Sequence, residues 1–382
     1  MAKLLSVLLC LFLLIPVWGQ CEGSSLSLLA VNVGKGDALL LSSGESLYLI
    51  DTGSASAWGK LSAVLTERGI DHLDGVILTH TDDDHAGGLP ALATSSIQVD
   101  AWYASACYTG VKEKKHPAVL AATMAGETVQ WLRAGDSLPL DGGTLTVLGP
   151  LKGSDDRENN NSLVLLAETD DGSILLTGDM EPEEENDLLS AGLISPCTVL
   201  KVPDHGEDHA TTSALIRAAA PTIAVISTDS GEEKDTPSTR VLRELKSAGA
   251  SVAVTQYGEA GVLVTLQTGQ ARCEYISHEA WPEATEGVII SDRSVAQDII
   301  CLKNTGDGTA DLSGWYLYSD RGDELFVFPE GTTLEAGASL SVSSLASESA
   351  GDLVWPDKRV WNEEKEDNAF LYDAYGRLMA EY

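Results

Sequence analysis

The chain has 382 residues, enough for two or three domains, and its 43% hydrophobic against 21% charged residues exclude a wholly disordered, collagen-like or low-complexity protein. Lys and Arg number 24 against 58 Asp and Glu, a formal net charge of −34. A field of that sign excludes the capture of a polyanion by a simple basic patch, so any phosphate handled here needs another source of positive charge, a bound metal above all.

Taken in chain order, Lys3 followed by the apolar run Leu4–Ile15 and the small residues near Gly19 has the layout of a signal peptide over residues 1–19. The run is shorter than the ~20 residues that span a bilayer, and no other stretch is long and apolar enough to form an integral membrane domain. The layout predicts an exported protein, secreted or surface-associated. Cys21 raises a lipoprotein reading, although Trp18-Gly19-Gln20 makes a poor lipobox. Apart from Cys10 and Cys21 the cysteines are 107, 197, 273 and 301, with no metal-like spacing; one disulfide is allowed and none is demanded. Cys197 and Cys301, inside apolar runs, read as buried small hydrophobes.

From Leu26 to about Ile276 short apolar runs alternate with amphipathic segments. Strands are predicted at Leu28–Val33, Leu47–Ile50, Val76–Thr79, Leu145–Leu148, Leu163–Ala167, Ile174–Thr177, Val199–Val202, Ile223–Ser227, Val252–Thr255 and Val262–Leu266. Helices are predicted at Ala57–Arg68, Pro117–Ala125, Glu181–Leu189, Thr211–Ala219 and Pro237–Ala248, the last with Thr236 as cap and Pro237 as its first residue. The mixture points to an α/β protein of layered sheets with helices outside. A composition shift at Ser277–Glu286 reads as a linker, and an all-β rhythm with frequent turn signals follows it, as in a β-sandwich.

Three strand ends carry the chemistry. Val76-Ile77-Leu78-Thr79-His80-Thr81-Asp82-Asp83-Asp84-His85-Ala86-Gly87-Gly88 puts two imidazoles and several carboxylates on one tight loop, with two glycines for a sharp exit. Such a mixture suits Zn²⁺, Fe²⁺ or Mn²⁺. Four of the seven histidines fall in this loop or near His205, which argues against an incidental acidic turn. Leu176-Thr177-Gly178-Asp179 and Lys201-Val202-Pro203-Asp204-His205-Gly206 deliver a carboxylate and an imidazole at the ends of two further strands. Read singly, each is more often structural than ligating.

Together these segments resemble the metallo-β-lactamase-fold hydrolases, and among them the extracellular domains of ComEC-type DNA-uptake proteins, over residues 26–270. Asn32-Val33-Gly34-Lys35-Gly36-Asp37-Ala38, Leu49-Ile50-Asp51-Thr52-Gly53 and Asn159-Asn160-Asn161-Ser162-Leu163-Val164 complete the ordered set. The resemblance implies an αββα metallo-β-lactamase sandwich over residues 24–277 and two divalent ions, Mn²⁺ or Zn²⁺. By it, His80 and Asp82 serve one position, Asp84, His85 and His205 the other, and Asp179 bridges them. Asp84 and Asp179 are the catalytic carboxylates; Asp51, Asn160, Ser162 and Asp204 stand behind the ligands, and Lys35 meets substrate. Asp82 replaces the second His of the commoner H-x-H-x-D-H pattern, and no histidine occupies Asn159–Ser162, where many members have one. Asp204, where relatives have His, is a further ligand, a substrate contact or a neutral replacement. The implied activity is phosphodiester hydrolysis by a metal-activated water, with extracellular DNA as substrate. Hydrolysis of a small ester, lactam or nucleotide, or a non-catalytic surface binding role, are the alternatives. Lys112, Lys114 and Lys115 are the remaining nearby cations, most simply a solvated loop.

Asp311-Leu312-Ser313-Gly314-Trp315, Phe326-Val327-Phe328-Pro329, Gly331-Thr332-Thr333-Leu334, Trp361-Asn362 and Asp367-Asn368-Ala369 resemble a lamin-tail domain, an all-β immunoglobulin-like sandwich over residues 283–382. Its aromatic residues read as core. The likeness implies an accessory module that holds a cell-envelope or surface component, with no catalytic residue.

Overall fold

The computed structural model describes residues 25–278, 283–322, 324–345, 347, 351–356, 359–361 and 367–382; the predicted signal peptide, Cys21, Pro282 of the linker and Asn362 lie outside them. Leu26–Val31 is apolar at nearly every position because both faces of the strand are covered. Leu26, Leu28 and Ala30 point into one core and Leu29 and Val31 into another. The same division recurs at Ile77 against Val76 and Leu78, and at Ile174 and Leu176 against Leu175.

These faces belong to two sheets stacked through a shared core. The first runs, in spatial order, Gln270–Ile276, Gly261–Gln267, Leu26–Val31, Leu39–Ser43, Ser46–Ile50, Gly75–Leu78, Trp102–Ser105 and Val129–Leu132. The second runs Ser251–Val254, Ile223–Ile226, Val199–Lys201, Gly172–Leu176, Val164–Thr169, Gly143–Gly149 and Ser137–Leu140. Trp58–Glu67, Leu89–Thr94 and Pro117–Met124 cover the outer face of the first sheet, and Pro182–Ser190, Ser213–Ala219 and Thr239–Ser247 that of the second. The architecture is αββα, and strands of both sheets end on a common edge.

Several strands went unpredicted, among them Trp102–Ser105, Val129–Leu132 and Gln270–Ile276. The last two are edge strands whose outward positions are polar or half-exposed, which breaks the apolar run. The cap predicted at Thr236 does not form. The helix spans Thr239–Ser247, and Ser238 caps it by accepting from Arg240 N. The Thr236 hydroxyl is engaged instead with Thr228 Oγ1 and Glu233 O. Cys197 is buried as expected, but Cys301 is half-exposed, because Ile300 and Leu302 take the inward positions of its strand. The cysteines at 107, 197, 273 and 301 are free thiols.

Residues 288–381 form a second, all-β unit with two four-stranded sheets, Val288–Ser294, Ile299–Asn304, Ser339–Ser344, Leu353–Trp355 and Glu324–Val327, Tyr316–Ser319, Ala369–Tyr372, Leu378–Glu381. Trp315, Phe328, Trp355 and Trp361 fill its core, as the aromatic content implied. This unit packs on the helical face of the first sheet. Tyr316 is fully buried in that apolar layer and donates to Ser56 O at 2.9 Å, and Gly59 meets the Gly376 backbone so closely that a Cβ on Gly59 would sit 2.4 Å from Gly376 Cα. Among the described residues no helix is long and apolar enough to cross a membrane.

One buried titratable group makes stability depend on pH. His116 is 1% exposed, packs edge-on against the stacked rings of Tyr108 and Trp131, and leaves Nδ1 without a partner. Burial pulls its pKa from 6.5 down to about 4. The unfolded chain therefore binds a proton that the folded chain refuses, so this contribution to stability is complete above about pH 6.5 and falls away as the pH drops toward 4. Between pH 7.5 and pH 5 the folded protein should lose about 2 kcal/mol through this group. Urea unfolding of His116→Leu at both pH values checks it: the variant's pH dependence should be weaker by that amount, and equal slopes refute the assignment.

Candidate metal centre

The strand Gly75–Leu78 ends at Thr79, whose N–H and hydroxyl donate to Asp51 Oδ1 and Oδ2 at 2.8 and 2.7 Å. Asp82 then opens a single helical turn, Asp83–Ala86, which carries Asp84 and brings the His85 ring to 4.2 Å from that of His80, centroid to centroid. The glycines behind the turn serve close approach and not positive φ. A Cβ on Gly87 would lie 2.3 Å from Ala55 N, and one on Gly88 2.7 Å from Thr52 O. Gly36, at φ 142°, lets the 34–37 turn press on the Asp84 carbonyl, which accepts from Asp37 N at 3.1 Å.

Asp179 follows the strand Gly172–Leu176, its N–H donating to Ser162 Oγ at 3.1 Å. His205 follows Val199–Lys201 in left-handed backbone (φ 51°), as do Asp204 (φ 49°) and Asp51 (φ 59°). Non-glycine residues held in that region mark places where surrounding contacts dictate the backbone.

The side chains from these three strand ends converge. Asp179 Oδ2 lies 3.1 Å from both His85 Nε2 and His205 Nε2, and Asp84 Oδ2 lies 3.3 Å from His205 Nε2. His80 Nε2 stands on the other side, 3.9 Å from Asp179 Oδ2 and 3.6 Å from Asp82 Oδ2. Each imidazole is oriented through Nδ1: His85 to Asp51 Oδ2 at 2.8 Å, His205 to Ser227 O at 2.9 Å and His80 to Thr79 Oγ1 at 3.1 Å. A neutral ring that donates outward through Nδ1–H presents an Nε2 lone pair inward, the arrangement that suits a metal-ligating histidine.

The donor set fits a divalent metal. His85 Nε2 and His205 Nε2 face one another at 3.4 Å, and the buried His80 Nε2 and Asp179 Oδ1 have no hydrogen-bond partner. Asp84, His85, Asp179 and His205 place their ligand atoms within 4.8 Å of one another, and imidazole with carboxylate is a ligand set of Zn²⁺ and Mn²⁺. Without an ion the charges lean on each other. Burial lowers the pKa of His205, but Asp179 and Asp84 outweigh it and lift it to about 10; His85 is likewise held well above 6.5 by Asp179 and Asp51. Burial raises Asp179 and Asp84, yet the two imidazoles hold both well below the usual carboxylate range.

The flanking residues sort by distance. Asp51 lies directly behind His85 and Ser162 behind Asp179. Asn160 is one step further out, accepting from Glu184 N and donating to Glu181 Oε2. Lys35 stands at the mouth, its Nζ 3.7 Å from Asp84 Oδ2 and 3.6 Å from Glu207 Oε1. Asp204 turns away from the cluster to His209, with Oδ2 2.8 Å from His209 Nε2; burial, with Asp179 and Glu207, lifts it to about 7. Lys112, Lys114 and Lys115 are exposed on a separate loop.

Four residues beside the cluster received no role from the sequence. Glu158 accepts from Thr81 N and Oγ1 with one oxygen and from Thr109 N with the other, tying the His80 loop to the 107–116 segment. Lys201 and Asp37, both fully buried, pair at 2.8 Å behind His205. His209 was counted among the histidines near His205 but given no role. A lysine inside an apolar strand was the one available signal, since a buried charge requires a partner.

Residues 31–230, more than half of the chain, match the profile of the Metallo-beta-lactamase superfamily. The chain belongs to the metallo-β-lactamase superfamily. Residues 282–382 match the Lamin Tail Domain. Among curated relatives, ComE operon protein 3 of Bacillus subtilis is 30% identical over 239 residues, covering 56% of this chain and 30% of the relative. Recombination protein 2 of Haemophilus influenzae is 27% identical over 257 residues, 65% of this chain and 30% of the relative. This superfamily member thus spans about three-tenths of the length of the curated relatives it matches. The solved metallo-β-lactamase-fold protein YhfI of Bacillus subtilis is 14% identical at a TM-score of 0.44, covering 62% of this chain and 98% of that one.

Proposed function

We propose that this superfamily member is an exported phosphodiesterase that cleaves DNA outside the cytoplasm, with two divalent ions, Mn²⁺ or Zn²⁺, at the centre described above. The observation that carries the reading is the convergence of Asp84, His85, Asp179 and His205 on one point, with His80 and Asp82 across Asp179. His80 and Asp82 would hold one ion, Asp84, His85 and His205 the other, and Asp179 would lie between. Such a pair supplies a water made nucleophilic near neutral pH and Lewis-acid stabilisation of charge on a phosphoryl oxygen.

The chain's own residues set the rest. Asp84 and Asp179, held anionic by the imidazoles, are the carboxylates against which water is oriented. Lys35 at the mouth meets a non-bridging phosphate oxygen. Asp51, Ser227 O and Thr79 keep the imidazoles in the tautomer that binds metal. Local cations answer the charge problem: one phosphate can be held despite a net charge of −34. The names of the relatives, an operon protein of ComE and a recombination protein, favour DNA over a lactam. The tail domain serves to hold a cell-envelope or surface component, and the apolar N-terminal segment supports export.

The test is turnover of single-stranded DNA and of bis(p-nitrophenyl) phosphate by the full chain with added Mn²⁺. DNA cleavage should require the metal, fall to background with a chelator, and drop by at least about 10²-fold in Asp84→Ala. Turnover of the small diester with DNA intact would favour a small-molecule hydrolase, and no turnover of either a binding role.

A further inference from the structure

We propose that Glu181, Asp204 and His209 form an additional divalent-cation site on the rim of the metal centre, separate from the ligands already described. The same two loops build both places: Glu181 follows Asp179 by two residues, and Asp204 and His209 flank His205. Asp204 N–H also donates to Gly178 O at 3.2 Å, locking the loops together.

Donors bound about 2.0–2.2 Å from one ion stand roughly 3 to 3.5 Å apart at octahedral to tetrahedral angles. His209 Nε2 lies 2.8 Å from Asp204 Oδ2 and 3.7 Å from Glu181 Oε1, and all three donor atoms fall within 4.8 Å of one another. Glu181 and His209 are each held by further contacts. Arg157 Nη1 and Asn160 Nδ2 occupy Glu181 Oε2 at 2.7 and 3.3 Å, turning Oε1 to the imidazole. Glu207 Oε2 stands 3.2 Å from His209 Nδ1, which suits a proton there and a lone pair on Nε2.

An independent observation concerns Asp204. The residue is 3% exposed, yet its Oδ2 accepts no hydrogen bond, although His209 Nε2 stands at 2.8 Å. A buried carboxylate oxygen that faces an imidazole nitrogen without a formed hydrogen bond is a donor that an ion can share with that ring. The mixed carboxylate–imidazole set matches Mn²⁺ or Zn²⁺, and half-exposed His209 gives the ion an entry path. An ion here would place positive charge beside Lys35, where a phosphate next to the scissile one would pass.

The experiment uses Mn²⁺ alone with the full chain. Crystals soaked in MnCl₂ and measured at the manganese edge should show an anomalous peak between Asp204 and His209, apart from any peak at Asp179. Equilibrium dialysis should find His209→Ala and Asp204→Asn each binding one Mn²⁺ fewer per chain than the parent. Absence of the peak at saturating Mn²⁺, or equal ion counts in parent and His209→Ala, would overturn the site and leave His209 as an imidazolium held by carboxylates. The count does not depend on catalysis: a chain that binds the extra ion but cuts no phosphodiester would overturn the proposed activity and leave this site standing.

Discussion

Asp179→Asn is expected to lower metal-dependent turnover by about 10²–10³-fold, the scale on which a single preorganised charge-stabilising group acts. The substitution keeps the shape and removes one charge from the carboxylate that both His85 Nε2 and His205 Nε2 face at 3.1 Å. Metal content should fall with activity. A third readout separates loss of charge from loss of fold. In the metal-free parent, burial presses the His205 pKa down, and Asp179 with Asp84 lifts it to about 10. With Asp179 neutralised, burial weighs more heavily against the charged ring, so NMR titration of the metal-free variant should find His205 shifted downward toward 6.5. Retained turnover in Asp179→Asn, or a His205 titration unmoved from the parent's, would remove Asp179 from the centre of the site.

Lys201→Met should cost about 3–5 kcal/mol of stability, because it strands Asp37 as a buried charge. Lys201 Nζ lies 2.8 Å from Asp37 Oδ2 and donates to Val202 O at 3.0 Å, with both side chains wholly enclosed. The pair joins the Val199–Lys201 strand of one sheet to the 32–37 turn of the other, and Asp37 Oδ1 stands 4.0 Å from His205 Nδ1. Urea unfolding of three variants reads the effect: Lys201→Met and Asp37→Leu should each be strongly destabilised, and the double variant should recover most of the loss as an apolar pair. A single substitution costing under about 1 kcal/mol would mean that water reaches the pair.

The residues of the candidate centre were legible because each stands at the end of an apolar strand, where a run of inward-facing side chains stops. His80 after Val76–Leu78, Asp179 after Ile174–Leu176 and His205 after Val199–Val202 follow this rule. The αββα layering was legible for the same reason, since strands covered on both faces carry unbroken apolar runs. Edge strands such as Gln270–Ile276 were not, because half of their surface is wet. Nor was the helix cap, since Thr236 and Ser238 are both acceptable caps and the folded 228–236 loop, which engages the Thr236 hydroxyl with Thr228 and Glu233, decides between them. Lys201 announced that it needed a partner, but nothing local named Asp37, far away in the chain. His209 and Glu158 sit in polar loops without periodicity, where the significance of a side chain depends on which other loop folds against it.

Tyr316 gives the tail domain more than a tether. Its ring lies among Trp58, Leu61 and their neighbours as one more side chain of the helical layer, with its hydroxyl anchored on Ser56. Severing the chain between Ile276 and Val288 would therefore leave an oily scar on each half, inviting self-association instead of two clean fragments. The tail domain and the sheets that carry the candidate metal centre thus share one apolar layer, which fixes the bearing of one on the other.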